Sequence, residues 1–89
     1  MPNHDKINSF IASELGVDPA EFSLNPGAAL LALRHIKLPE EIDLRQTAGG
    51  WVCYAKDLEW DGLTEPTPAL AVAKSICQLI GVPWRMFEH

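Results

Sequence analysis

Residues 67–81, Thr-Pro-Ala-Leu-Ala-Val-Ala-Lys-Ser-Ile-Cys-Gln-Leu-Ile-Gly, constrain this chain more than any other stretch. Thr67 is a natural N-cap, and Pro68 suits the first helical position, where a missing N–H leaves nothing unpaired. Gly81 and then Pro83 mark the stop. Between them Ala69, Leu70, Val72, Ala73, Ile76, Cys77, Leu79 and Ile80 are apolar. Only Ala71, Lys74, Ser75 and Gln78 form a narrower stripe, which is expected to face water. A helix this apolar must be covered by more than one element. The rest of the chain is expected to supply that cover.

An N-cap at Asn3 or Asp5 opens a first helix that runs to about Leu15 and stops at Gly16. Ile7, Phe10, Ile11 and Leu15 recur on one face, with Lys6, Ser9, Ser13 and Glu14 opposite. Asp18-Pro19-Ala20-Glu21 has the pattern of a single helical turn. Asn25-Pro26 opens a second helix expected to reach about Lys37. Its apolar side is drawn through Ala28, Leu31, Ala32 and His35, widened by Leu30, Leu33 and Ile36. Glu41–Thr47 alternates, with Ile42, Leu44 and Gln46 on one face and Asp43, Arg45 and Thr47 on the other. Ala48-Gly49-Gly50 reads as a turn into a second strand, Trp51–Leu58, so a β-hairpin is expected. Trp51, Cys53 and Ala55 share one of its faces, and Val52, Tyr54 and Lys56 the other. The resulting fold class is α+β: a small two-layer sandwich in the order α-α-β-β-α, helices packed on a short antiparallel hairpin. Eighty-nine residues make one domain. Its core is expected over residues 5–81, with residues 82–89 as a C-terminal tail.

Four segments carry a family resemblance. Asp5–Gly16 has an Ile-Asn and a later Ile-Ala before its glycine. Leu24-Asn-Pro-Gly-Ala-Ala29 stands where a second helix starts. Gly50-Trp-Val-Cys-Tyr-Ala55 and Thr67-Pro-Ala-Leu-Ala-Val-Ala73 pair a strand tryptophan with a Thr-x-x-x-Ala final helix. Together these resemble the phage ABA sandwich family, small proteins of phages and prophages. The resemblance implies helices arranged on a short antiparallel sheet. It implies no established activity and no catalytic residues. The stretch Leu15–Phe22 is also similar to the opening of acyl carrier proteins, but no Asp-Ser-Leu follows to carry a phosphopantetheine arm.

The chemistry-bearing residues are sparse. The net charge of −5 and scattered Lys and Arg disfavour nucleic-acid binding. No apolar run reaches membrane-spanning length and no signal pattern opens the chain, so a cytoplasmic protein is expected, in the host cytoplasm if phage-encoded. Cys53 and Cys77 match no zinc set and lie in apolar segments, as reduced core thiols do. His4, His35 and His89 have no metal-ligand spacing. No G-x-S-x-G and no phosphate-cradling glycine loop occurs, so no catalytic residue and no cofactor is assigned. Asp57-x-Glu59-x-Asp61-Gly62 begins like a calcium loop, but its twelfth position is Pro68 rather than Glu. Three tryptophans in so short a chain are the better lead. Trp60, Trp84 and Phe87, rimmed by Glu59, Asp61 and Glu65, are expected to form a protein-binding patch.

The function these residues favour is a non-enzymatic phage or prophage accessory protein acting through contact with another protein, such as a host protein with a basic surface. One alternative is a domain that binds a small molecule or a divalent cation through the acidic loop 57–65. Another is a structural homodimer, since the apolar 67–81 helix exceeds what one small layer covers.

Overall fold

A computed structural model describes residues 3–59 and 62–87. Helix α1 spans His4–Leu15, capped by the Asn3 side chain, which accepts the Lys6 N–H at 3.1 Å. Ile7 and Ile11 are fully buried on its inner face. Helix α2, Pro26–Leu33, is capped by Asn25 Oδ1, which accepts from the Gly27 and Ala28 N–H groups. It is shorter than expected: Arg34–Ile36 are turns, held by Ile36 and Lys37 N–H bonds to the Leu33 carbonyl. A short 3-10 helix, Pro39–Glu41, leads into the hairpin of β1 (Ile42–Thr47) and β2 (Gly50–Ala55). The strands are antiparallel, pairing Ile42 with Ala55, Leu44 with Cys53 and Gln46 with Trp51. Helix α3, Pro68–Leu79, begins with Thr67 Oγ1 accepting the Leu70 N–H at 3.2 Å. It ends where Gly81, at φ 85°, lets the Val82 N–H turn back to the Cys77 carbonyl. The α+β class, the hairpin and the α-α-β-β-α order are as the sequence implies.

Helix α3 lies between β2 on one side and α2 on the other, and also touches α1. That position explains why Ala69 through Cys77 are all buried, including Lys74 and Ser75. The stripe of Ala71, Lys74, Ser75 and Gln78, expected to meet water, instead faces β2 and the loop that follows it. Ser75 Oγ donates to the Cys53 carbonyl at 2.8 Å and docks the helix on the strand. A polar stripe on a central helix thus marks where it bonds a neighbouring backbone. Glu65 extends the sheet by one bridge: Trp51 N–H donates to the Glu65 carbonyl at 2.7 Å, and Glu65 N–H returns to the Trp51 carbonyl at 2.9 Å. Val52, on the alternate face of β2, is also buried; Leu58 and Leu63 line the same small cavity.

Three other expectations are corrected. The connector does not form its helical turn over Asp18–Glu21. The turn lies over Phe22–Leu24, closed by an Asn25 N–H bond to the Glu21 carbonyl at 2.7 Å. Strand β2 ends at Ala55 rather than Leu58, because Asp57 adopts a positive φ of 69° and turns the chain. The core does not stop at residue 81. Trp84–Phe87 form a 3-10 helix against α1 and α3, and Asn3 N–H donates to the Phe87 carbonyl.

Candidate functional site

Of the aromatic patch expected from Trp60, Trp84 and Phe87, the two described members are turned into the core. Phe87 is fully buried and Trp84 is 9% exposed. Their rings pack 5.7 Å apart, and Phe87 also sits 5.7 Å from Phe10. The physical reason is the size of the chain: α1 and α3 leave an apolar end uncovered, and the nearest large side chains close it. Trp60 and Asp61 lie outside the described residues. Of the expected rim, Glu59 is exposed, and Glu65 is half-buried with its backbone committed to Trp51.

The described carboxylates of the acidic loop, Asp57, Glu59 and Glu65, do not gather into one site. Asp57 pairs with Lys37 at 3.4 Å, across the end of the hairpin. Among the described residues no three His, Cys, Asp or Glu side chains come together as a metal would need. Glu41, just before β1, accepts the Leu38 N–H at 2.9 Å and lies 3.6 Å from Lys56 Nζ. The Leu38 N–H, helped by the Lys56 and Lys37 charges, holds its carboxyl below the usual value.

A serine beside a histidine and two cysteines are present, and these three nucleophilic side chains are buried. Ser23, His4 and Asn8 gather under α1: His4 Nδ1 lies 2.8 Å from Ser23 Oγ, and Ser23 Oγ–H donates to Asn8 Oδ1 at 2.9 Å. Serine, histidine and amide are the members of a nucleophile–base–orienter set. Ser23, however, is 1% exposed, so no substrate carbonyl reaches its oxygen. The cluster instead ties the connector to α1, with Ser23 N–H donating to the same Asn8 oxygen. Sequence reasoning missed it because its members are spread over two elements at no motif spacing.

Cys53 and Cys77 are free, buried thiols. Burial pushes Cys53 up, and pushes Cys77 from 9.0 to about 12. Neither is a thiolate near neutrality. The unfolded chain therefore ionises at Cys77 before the folded chain does. Stability is fully present below pH 9.0 and falls as pH rises towards about 12. Urea unfolding across that range is expected to show the decline, and Cys77→Ala to flatten it. An unchanged slope in Cys77→Ala removes this cause.

The cleft between β2, α3 and the loop, where Lys74 and Ser75 sit, holds about 20 Å³, room for one water and no metabolite. The open apolar feature is elsewhere. Between the connector and α2 runs a groove of about 250 Å³, lined by Val17, Ala20, Phe22, Ala28, Leu31 and Ala32, with Asp18 and His35 at its margins. Leu31, expected on the buried side, is 62% exposed here, while Ala29, Ala32 and Leu33 face the core. The segment Pro-Gly-Ala-Ala-Leu-Leu-Ala-Leu is apolar all round, so its own pattern selects no buried side. Its uniform apolarity was the available signal; its periodicity was not. Among the described residues no helix is long and apolar enough to cross a membrane. No family model, curated protein or solved structure matches the chain.

Proposed function

We propose that this chain is a non-enzymatic protein that acts by docking onto another protein through the groove beside α2. The observation that carries this reading is Leu31: a large apolar side chain 62% exposed within a groove lined mainly by apolar residues. The buried Ser23 hydroxyl, the one placed beside a histidine, and the buried Cys53 and Cys77 thiols favour binding over catalysis. Asp18 in the groove, exposed Glu21 beside it and the net charge of −5 favour a partner whose apolar anchor is flanked by Lys or Arg. The resemblance to the phage ABA sandwich family supports the narrower reading of a phage or prophage accessory protein meeting a host protein in the cytoplasm.

Capture from bacterial lysate with three purified chains tests this: wild type, Leu31→Glu, and Ser9→Glu on the exposed face of α1. A partner retained by wild type and Ser9→Glu, weakened tenfold or more (about 1.4 kcal/mol) by Leu31→Glu, and released at high salt is the expected result. Leu31→Glu should melt at the wild-type temperature, since the site is already exposed. A partner held equally by all three chains would falsify the groove as the contact.

A further inference from the structure

We infer that β1 is a self-pairing edge, and that two copies of this chain join there into a continuous antiparallel sheet. Both backbone groups of Trp51 bond Glu65, on the side of β2 away from β1. Strand groups alternate, so Val52 points at β1 and bonds its register partner Arg45. Glu41, two pairs further along, obeys the same alternation: its carbonyl accepts the Lys56 N–H at 3.0 Å. The backbone groups of Leu44 and Gln46 therefore point outward. Among the described residues nothing bonds them. Only the Ile42 N–H is used on that edge, by the Pro39 carbonyl.

Open edges are normally guarded by charge. Here the charges are Asp43 and Arg45, which bond each other at 2.6 Å on the outer face and remain largely exposed. Three registers about a two-fold axis centre on the middle of β1, at Asp43, Leu44 and Arg45, and so pair the strand over most of its length. Centred on Arg45, the axis sets Arg45 against Arg45 of the second copy. Centred on Asp43, it sets carboxylate against carboxylate. Centred on Leu44, it sets Asp43 of each copy against Arg45 of the other, and the four charges alternate. Only this last register is free of like-charge pairs, and it places Leu44 opposite Leu44 as a hydrogen-bonded pair. The Leu44 N–H and carbonyl of each copy exchange two bonds, and each Gln46 N–H meets the Ile42 carbonyl opposite. The edge is sterically open on its helical side as well, where a hollow of about 200 Å³ is lined by Leu30, Arg34, Pro39, Ile42 and Leu44. The half-buried Leu44 side chains would close it from the axis. This surface shares no residue with the groove around Leu31, so either can fail alone.

Sedimentation equilibrium on the full chain over a wide concentration range tests the inference. The expected mass rises from 9.8 kDa to twice that value. Gln46→Pro removes one outward N–H per copy without touching the bonds to β2, and is expected to weaken the dimer about tenfold or more. Arg45→Asp sets two carboxylates against each other and is expected to do the same. Adding Asp43→Arg to Arg45→Asp restores alternation and is expected to restore the dimer. Circular dichroism of each variant checks that the monomer still folds. A mass of one chain up to about 1 mM overturns the inference. So does a dimer indifferent to Gln46→Pro, or a double variant that stays as weak as Arg45→Asp.

Discussion

Phe87→Ala is expected to lower stability by about 3–4 kcal/mol, the usual cost of emptying a fully buried aromatic site. Phe87 is 0% exposed and packs on both Phe10 and Trp84. A domain of this length has roughly 4–13 kcal/mol in total. The loss is therefore a large share of everything that holds the fold. At about 4–8 °C per kcal/mol, the melting temperature should fall by roughly 12–30 °C. Met86, its neighbour, is 38% exposed. Met86→Ala should cost well under about 1 kcal/mol. Thermal unfolding of the two variants side by side checks the assignment. Equal effects would mean that the C-terminal segment is not part of the core. The same measurement bears on the patch expected from sequence: an aromatic that carries this much stability is not free to serve a partner.

Gly50→Ala is expected to cost about 3 kcal/mol and to loosen the bridge to Glu65. Gly50 opens β2 at φ 140°, a backbone region that side-chain-bearing residues rarely adopt. That strain alone is worth about 1–3 kcal/mol. A Cβ there would also lie 2.6 Å from the Glu65 carbonyl oxygen. That atom is fixed by its bond to Trp51 N–H, so it cannot move aside cheaply. Gly49 is the control. A Cβ there meets nothing nearer than Thr64 Oγ1, at 3.5 Å, and Gly49→Ala should stay within about 0.5 kcal/mol of wild type. Urea midpoints give the energies. Hydrogen exchange at the Trp51 and Glu65 amides shows whether the bridge opens first. A Gly50→Ala chain as stable as Gly49→Ala would remove the close approach as a cause.

The candidate sites were far less legible than the elements. Leu31 was assigned to the core because a 3.6-residue period drawn through Ala28, Leu31, Ala32 and His35 looks amphipathic. In a helix with leucine or alanine at nearly every position, several such lines can be drawn. The choice among them is made by packing against α3, which takes Ala29, Ala32 and Leu33 because small residues let the helices approach closely. The Ser23–His4–Asn8 cluster had no local signature at all, since its hydrogen bonds join residues 15 and 19 positions apart.

The amino-acid sequence by itself determined the main elements and where each helix begins. Asn3, Asn25 and Thr67 each cap the helix they precede, and Gly81 stops α3. Those are local decisions: a side-chain oxygen reaches an N–H two or three residues away whatever the rest of the chain does. Strand alternation likewise grouped Ile42 with Leu44 in one strand and Trp51 with Cys53 in the other, and the register of the hairpin then put the two pairs on one face. Tertiary structure alone decided which side of α2 and which polar stripe of α3 is inside, where the last residues go and which polar groups stay wet. Lys74 and Ser75 are buried because α3 is flanked on both sides. Trp84 and Phe87 are buried because α1 and α3 leave a gap of their size. Burial is a property of what lies opposite, and what lies opposite is fixed only when distant segments meet.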